Sequence, residues 1–96
     1  MIINFAAFLA RRREKLGKTQ AQVAESCAVT PEAICQFESG RRQPRLALLP
    51  RLAQALGVDR RLLARFALQS RAPEFYATLG LEPVEPAELE ALPGAC

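Results

Sequence analysis

Apolar residues recur along the chain at intervals of three and four, the spacing of one face of an α-helix, and no stretch alternates as a strand would. Phe5, Phe8, Leu9 and Leu16 mark the inner face of a first helix, with Asn4 placed to cap its start and Gly17 to stop it. Thr19 and Gln22 have capping-box spacing and open a second helix, in which Val23, Ala24 and Cys27 point inward. Thr30 followed by Pro31 reads as an N-cap and first helical residue, the one position where the missing proline N–H has no helical partner to lose. That third helix carries Ile34 and Phe37 inward and ends at Gly40. Pro50 falls too deep in Leu46–Leu56 for one continuous helix, so the pattern predicts a loose turn over Arg45–Leu48. The fourth helix proper then runs from near Leu49 through Leu52, Ala53 and Leu56 to Gly57. Asp59 caps a fifth, with Leu62, Leu63 and Phe66 facing in, which ends before Pro73. Beyond it the periodicity fades. Pro73–Leu79 predicts a short helix stopped by Gly80 and Pro86–Leu92 another, with prolines 83, 86 and 93 leaving the rest extended or irregular.

This is an all-α chain of 96 residues, enough for a single modest core. The net charge of +3 conceals an asymmetry. All 13 Lys and Arg lie in residues 1–71 with five acids, a balance of +8, whereas residues 72–96 hold five acids and no base. The charge therefore divides the chain into a basic body, residues 1–71, and an acidic C-terminal extension, residues 72–96, a split that suggests a polyanionic partner. Cys27, Cys35 and Cys96 have no metal-like spacing, and there is no histidine, the commonest general base and metal ligand. With no paired carboxylates and no phosphate-cradling glycine loop, neither an enzyme nor a cofactor or metal is expected. The apolar run from Met1 to Ala10 lacks the preceding positive residues of a secretory segment and meets Arg11–Arg13 before any cleavage-like site. Nothing approaches the roughly 20 apolar residues of a membrane span, so a cytoplasmic protein without a membrane partner is expected.

The informative stretch is Gln20–Ser39. Two short helices are joined by the tight connection Cys27-Ala28-Val29-Thr30, and Ala24 supplies the small residue that lets them cross closely. With Val23, Cys27, Val29, Ile34 and Phe37 filling the junction, Thr30, Pro31, Glu32, Ala33, Cys35, Gln36 and Ser39 fall on the outer face of the second helix of the pair. A helix that presents short and amide side chains, with its N-terminus free, fits the roughly 12 Å major groove of B-DNA.

From about Phe5 to Phe66 the chain resembles the lambda-repressor-like, Cro-type (xenobiotic-response-element) helix-turn-helix family. The resemblance rests on Phe8–Gly17, on Thr19–Ala24, on Val29–Pro44 with its Phe37-Glu38-Ser39-Gly40-Arg41-Arg42 segment, and on Leu52–Val58. It implies a five-helix DNA-binding domain with a short acidic extension, acting as a dimeric repressor of a palindromic operator on double-stranded DNA. Residue by residue, it puts Gln20 where an amide meets a phosphate and buttresses the first reader. It puts Pro31, Glu32 and Gln36 at base-reading positions, with Thr30 and Cys35 beside them. Ser39, Arg41 and Arg42 fall at phosphate positions, and Arg13 and Glu38 match an internal ion pair. Two residues depart from the family: Pro31 replaces a frequent polar reader, and Ala28 occupies the usual turn glycine, so an altered turn is expected.

Several roles stay two-sided. Gln36 either pairs with adenine N6/N7 or is an ordinary exposed amide, and Glu32 either accepts from cytosine N4 or complements the helix N-terminus. Arg41 and Arg42, directly after the recognition helix, read as phosphate contacts, whereas Arg11, Arg12, Lys15 and Lys18 read as solvated face. Cys27 reads as core, and Cys35 as a small group against a thymine methyl or sugar, where oxidation would block DNA. Phe66 of the fifth helix, with Phe75, Tyr76 and Leu79, is the expected homodimer seam. The acidic residues 82–96 are expected to lie away from the recognition helix and to be dispensable for operator binding. An antitoxin-type autoregulator whose tail holds a protein partner, or an interaction module with vestigial DNA binding, are the other readings.

Overall fold

The computed structural model describes residues 4–91, which form seven helices and no strand. Helix α1 spans Phe5–Lys15, α2 Gln20–Cys27, α3 Pro31–Ser39, α4 Leu49–Leu56, α5 Arg60–Arg71, α6 Pro73–Thr78 and α7 Pro86–Ala91, with a 3-10 turn at Leu46–Leu48 leading into α4. The helix starts follow the side chains present. Asn4 accepts from the Ala7 amide, Thr19 and Gln22 close a reciprocal capping box, and Thr30 accepts from Ala33 ahead of Pro31. Asp59 accepts from both the Arg61 and Leu62 amides. Leu92, Pro93 and Cys96 lie outside the described residues.

Helix α3 packs on α1 and α2, α2 also on α4, and α5 joins α4, α1, α6 and α7. The centre is aromatic: the Phe66 ring lies 5.6 Å from Phe8 edge-on and 6.0 Å from Phe5. Cys27 is buried among these helices, and burial pushes its thiol pKa up, against a smaller opposing effect of the Arg51 charge.

Four expectations change. Leu16 is exposed, because α1 stops at Lys15 and Leu16 is already its C-cap. Ala33 is buried rather than on the outer face, since it sits on the flank of α3 facing the chain that follows. Arg12 is buried, its Nε donating to the Leu56 carbonyl at 2.9 Å and its Nη2 to Gly57 at 3.3 Å. Lys18 joins it, donating to the Ala55 carbonyl at 2.6 Å. α4 has no base in its own last turn, so these two cations from another part of the chain satisfy its C-terminal carbonyls. Finally, the extension is built into the body: Val84 and Leu89 are 1% and 0% exposed and enter the same core. Gln69 clasps the Val84 main chain on both sides, donating to its carbonyl at 3.2 Å and accepting its N–H at 2.7 Å. Arg65 and the Tyr76 hydroxyl both donate to the Glu82 carbonyl.

Candidate nucleic-acid interface

The turn between α2 and α3 is made by Ala28, which adopts the left-handed conformation at φ 59° and ψ 40°. Its N–H and that of Val29 return to the Ala24 carbonyl, which closes α2 and redirects the chain within three residues. An alanine therefore occupies the glycine-type turn in the left-handed conformation that glycine adopts most readily. Helix α3 then starts at Pro31 and buries Ala33, Ile34 and Phe37. Its opposite side leaves Pro31, Glu32 and Cys35 exposed and Gln36 half-buried. Thr30 is exposed too, its hydroxyl oxygen committed to the N-cap, and the Ser39 hydroxyl donates to the Gln36 carbonyl at 3.1 Å.

The far end of α3 is tied to α1 by Arg13 and Glu38. The Arg13 Nε and Nη2 donate to the two Glu38 carboxylate oxygens at 2.7 and 3.1 Å, the paired geometry that suits a guanidinium to a carboxylate. The hydrogen bonding it donates to Glu38 raises the Arg13 pKa further, so the guanidinium keeps its charge. Gln20 adds a third bond, donating to Glu38 at 3.0 Å, so its amide braces α3 rather than standing free. Gly40 ends the helix at φ +79°, and the Arg41 and Arg42 amides fold back to the Gln36 carbonyl. Arg41 is exposed, and the Arg42 guanidinium carbon lies 5.7 Å from the Phe37 ring centroid.

Thr30, Pro31, Glu32, Cys35, Gln36, Ser39, Arg41 and Arg42 thus come together on and just after one helix. The four seam residues do not stay together. Phe66 and Tyr76 are inside the folded chain at 2% and 3% exposure, because each fills the core between α5 and its neighbours, while Phe75 and Leu79 are exposed. Sequence reasoning missed Arg45 and Arg51, which with Arg42 line a groove of about 370 Å³ beside Ala33 and Phe37 of α3. The run of bases between residues 41 and 61 is the signal that could have found them. Among the described residues no cluster of His, Cys, Asp and Glu could hold a metal ion, and no helix is long and apolar enough to cross a membrane.

The family model described as a helix-turn-helix domain matches residues 4–66, the span from the α1 N-cap into α5. An uncharacterized HTH-type transcriptional regulator of Methanothermobacter thermautotrophicus (strain Delta H) is 47% identical over 45 residues, which are 47% of this chain and 65% of that relative. The chain thus spans about two-thirds, though slightly less, of the curated relative it matches. No solved structure is significantly similar to it.

Proposed function

The chain belongs to the helix-turn-helix domain family, and from that premise we propose that it is a sequence-specific DNA-binding transcriptional regulator. In this reading it acts in the cytoplasm as a homodimeric repressor that covers a pseudo-palindromic operator and excludes RNA polymerase. The observation that carries the reading is the outer side of α3. Its apolar side is consumed by the core, while the side chains of Glu32, Cys35 and Gln36 make no hydrogen bond or ion pair among the described residues. Their donors and acceptors are free for base edges, with Thr30 and Pro31 at the leading end and Ser39, Arg41 and Arg42 on flanking phosphates. Gln20 and Glu38 hold the helix at its angle. The protein works by binding and needs no cofactor.

Phe75 and Leu79, a helical turn apart and both exposed, supply the dimer seam, with Leu81 beside them. The same exposed residues favour a second reading, an antitoxin-type autoregulator that offers this surface to a protein partner, and co-purification of such a partner separates the two.

Selection of bound sequences from a random duplex pool by the full chain tests the proposal. The expected consensus has dyad symmetry with half-site centres about 34–36 Å apart. Gln36→Ala is expected to weaken binding to it by about 1–3 kcal/mol and to relax one base pair per half-site. An unchanged consensus removes Gln36 from the readers, and no enrichment at all rejects DNA recognition.

A further inference from the structure

The cations of the described residues fall into two groups. Arg12, Arg13, Lys18, Arg65 and Arg71 donate to internal oxygens, and Lys15 lies 3.8 Å from Glu90. Arg11, Arg41, Arg42, Arg45, Arg51, Arg60 and Arg61 are exposed, and their side chains have no hydrogen bond or ion pair among the described residues. Six of these seven lie between residues 41 and 61, and two already belong to the phosphate contacts proposed above.

The other four are joined by the shape of the surface. Arg45 and Arg51 line the groove beside the recognition helix, together with Ala33 and Phe37 of α3. Arg51 also lines a second cleft, of about 560 Å³, between α4 and the start of α5, together with Arg60 and Arg61. Arg51 is thus the hinge between a groove that opens beside α3 and a cleft that reaches α5. The acid lining this surface is Asp59, and one of its oxygens accepts the Arg61 and Leu62 amides at 2.7 and 3.2 Å. The four arginines therefore line one continuous stretch of surface on which Asp59 is the acid among the lining residues. Such an arrangement repels itself unless an external polyanion neutralises it.

We propose that Arg51, Arg60 and Arg61, linked through Arg45 to the flank of α3, form a phosphate track that holds duplex backbone beyond the bases the recognition helix reads. The inference rests on the DNA-binding reading and extends it: specificity stays with α3, and the track adds sequence-independent grip. It also bears on assembly. A two-fold seam at the start of α5 would set these arginines against their own copies, so the track directs the partner copy elsewhere.

The test uses the full chain with Arg51, Arg60 and Arg61 all replaced by alanine, and a second variant with all three replaced by lysine. Binding is measured against salt on a random-sequence duplex and on a duplex carrying the selected consensus. Each lost phosphate contact removes about 0.9 from the slope of log affinity against log salt. The alanine variant is expected to lose roughly 2–3 in slope per bound protomer and at least tenfold in affinity at about 0.1 M salt on both duplexes, with its consensus and melting temperature unchanged. The lysine variant should keep the slope. A wild-type chain that binds DNA while the alanine variant keeps the full slope overturns the track and leaves the DNA-binding reading standing. A wild-type chain that binds neither duplex overturns both. An unchanged slope with a lower sedimentation mass overturns the track in favour of the acidic extension of a second copy as the occupant.

Discussion

Glu38 stands in the last turn of α3, where an unengaged carboxylate would oppose an approaching phosphate. Its two oxygens instead receive three donors, two from Arg13 and one from Gln20. The Arg13 and Glu38 side chains are only 14% and 8% exposed, so removing either strands a charge with little water to replace the partner. Arg13→Ala and Glu38→Ala should each cost about 3–5 kcal/mol, read by urea denaturation. A double change to apolar residues should cost less than the two singles summed, and strict additivity would show that the pair is not coupled. A guanidinium whose pKa is raised by folding contributes stability below its ordinary range and loses it only above, so this group adds no pH dependence between about pH 6 and 9. The neighbouring arginines show how finely position decides role. Arg11 faces solvent, Arg12 caps α4 and Arg13 holds α3, because successive helical residues point about 100° apart. Arg12 was legible in principle, for Phe5, Phe8, Leu9 and Arg12 continue one helical stripe.

Among the elements, the α2–α3 connection concentrates the strain. Ala28 holds a left-handed conformation that costs an L-residue with a Cβ roughly 1–2 kcal/mol, part of which glycine returns as extra unfolded-state entropy. The Ala28 side chain is exposed and contributes little packing. Ala28→Gly should therefore stabilise the protein by about 1 kcal/mol, seen as a higher urea midpoint at unchanged m-value. A lower midpoint would mean that the methyl group packs on something that matters. The helix ends themselves were legible, since the caps at Asn4, Thr19, Thr30 and Asp59 act within four residues of where they stand. Ala33 was not, because its flank of α3 faces a groove whose other lining includes Arg45, Ala47, Leu48 and Arg51, well beyond the reach of helical periodicity.

At the level of the whole molecule, the acidic extension is part of the fold. Val84 and Leu89 are core, and the main chain at Glu82 and Val84 is held by Gln69, Arg65 and Tyr76, so removing this segment bears on folding before it bears on operator binding. Burying one such side chain stabilises by about 1.5–3 kcal/mol, so truncation after Leu81 should remove roughly 3–5 kcal/mol and lower the melting temperature. Truncation then confounds folding with assembly. Phe75→Ser with Leu79→Ser separates them: the melting temperature should hold while the mass in sedimentation falls toward a monomer. An unmoved dimer would take the seam off α6.

Helix number, helix limits and the helix-turn-helix spacing could be read from the residues because each depends on neighbours within a turn or two. A proline without an N–H, a glycine at positive φ and a hydroxyl three residues before an amide act wherever they occur. The long-range choices could not be read in the same way. Arg12 meets Leu56 across 44 positions, Lys18 meets Ala55 across 37, and Gln20 meets Glu38 across 18. Periodicity places a residue on a face but does not say which face meets which. Phe66 and Tyr76 look as suited to a seam as Phe75 and Leu79 until packing closes over the first pair. The tertiary fold alone made that choice, because burial is settled by whatever apolar surface remains to be covered once the helices have docked.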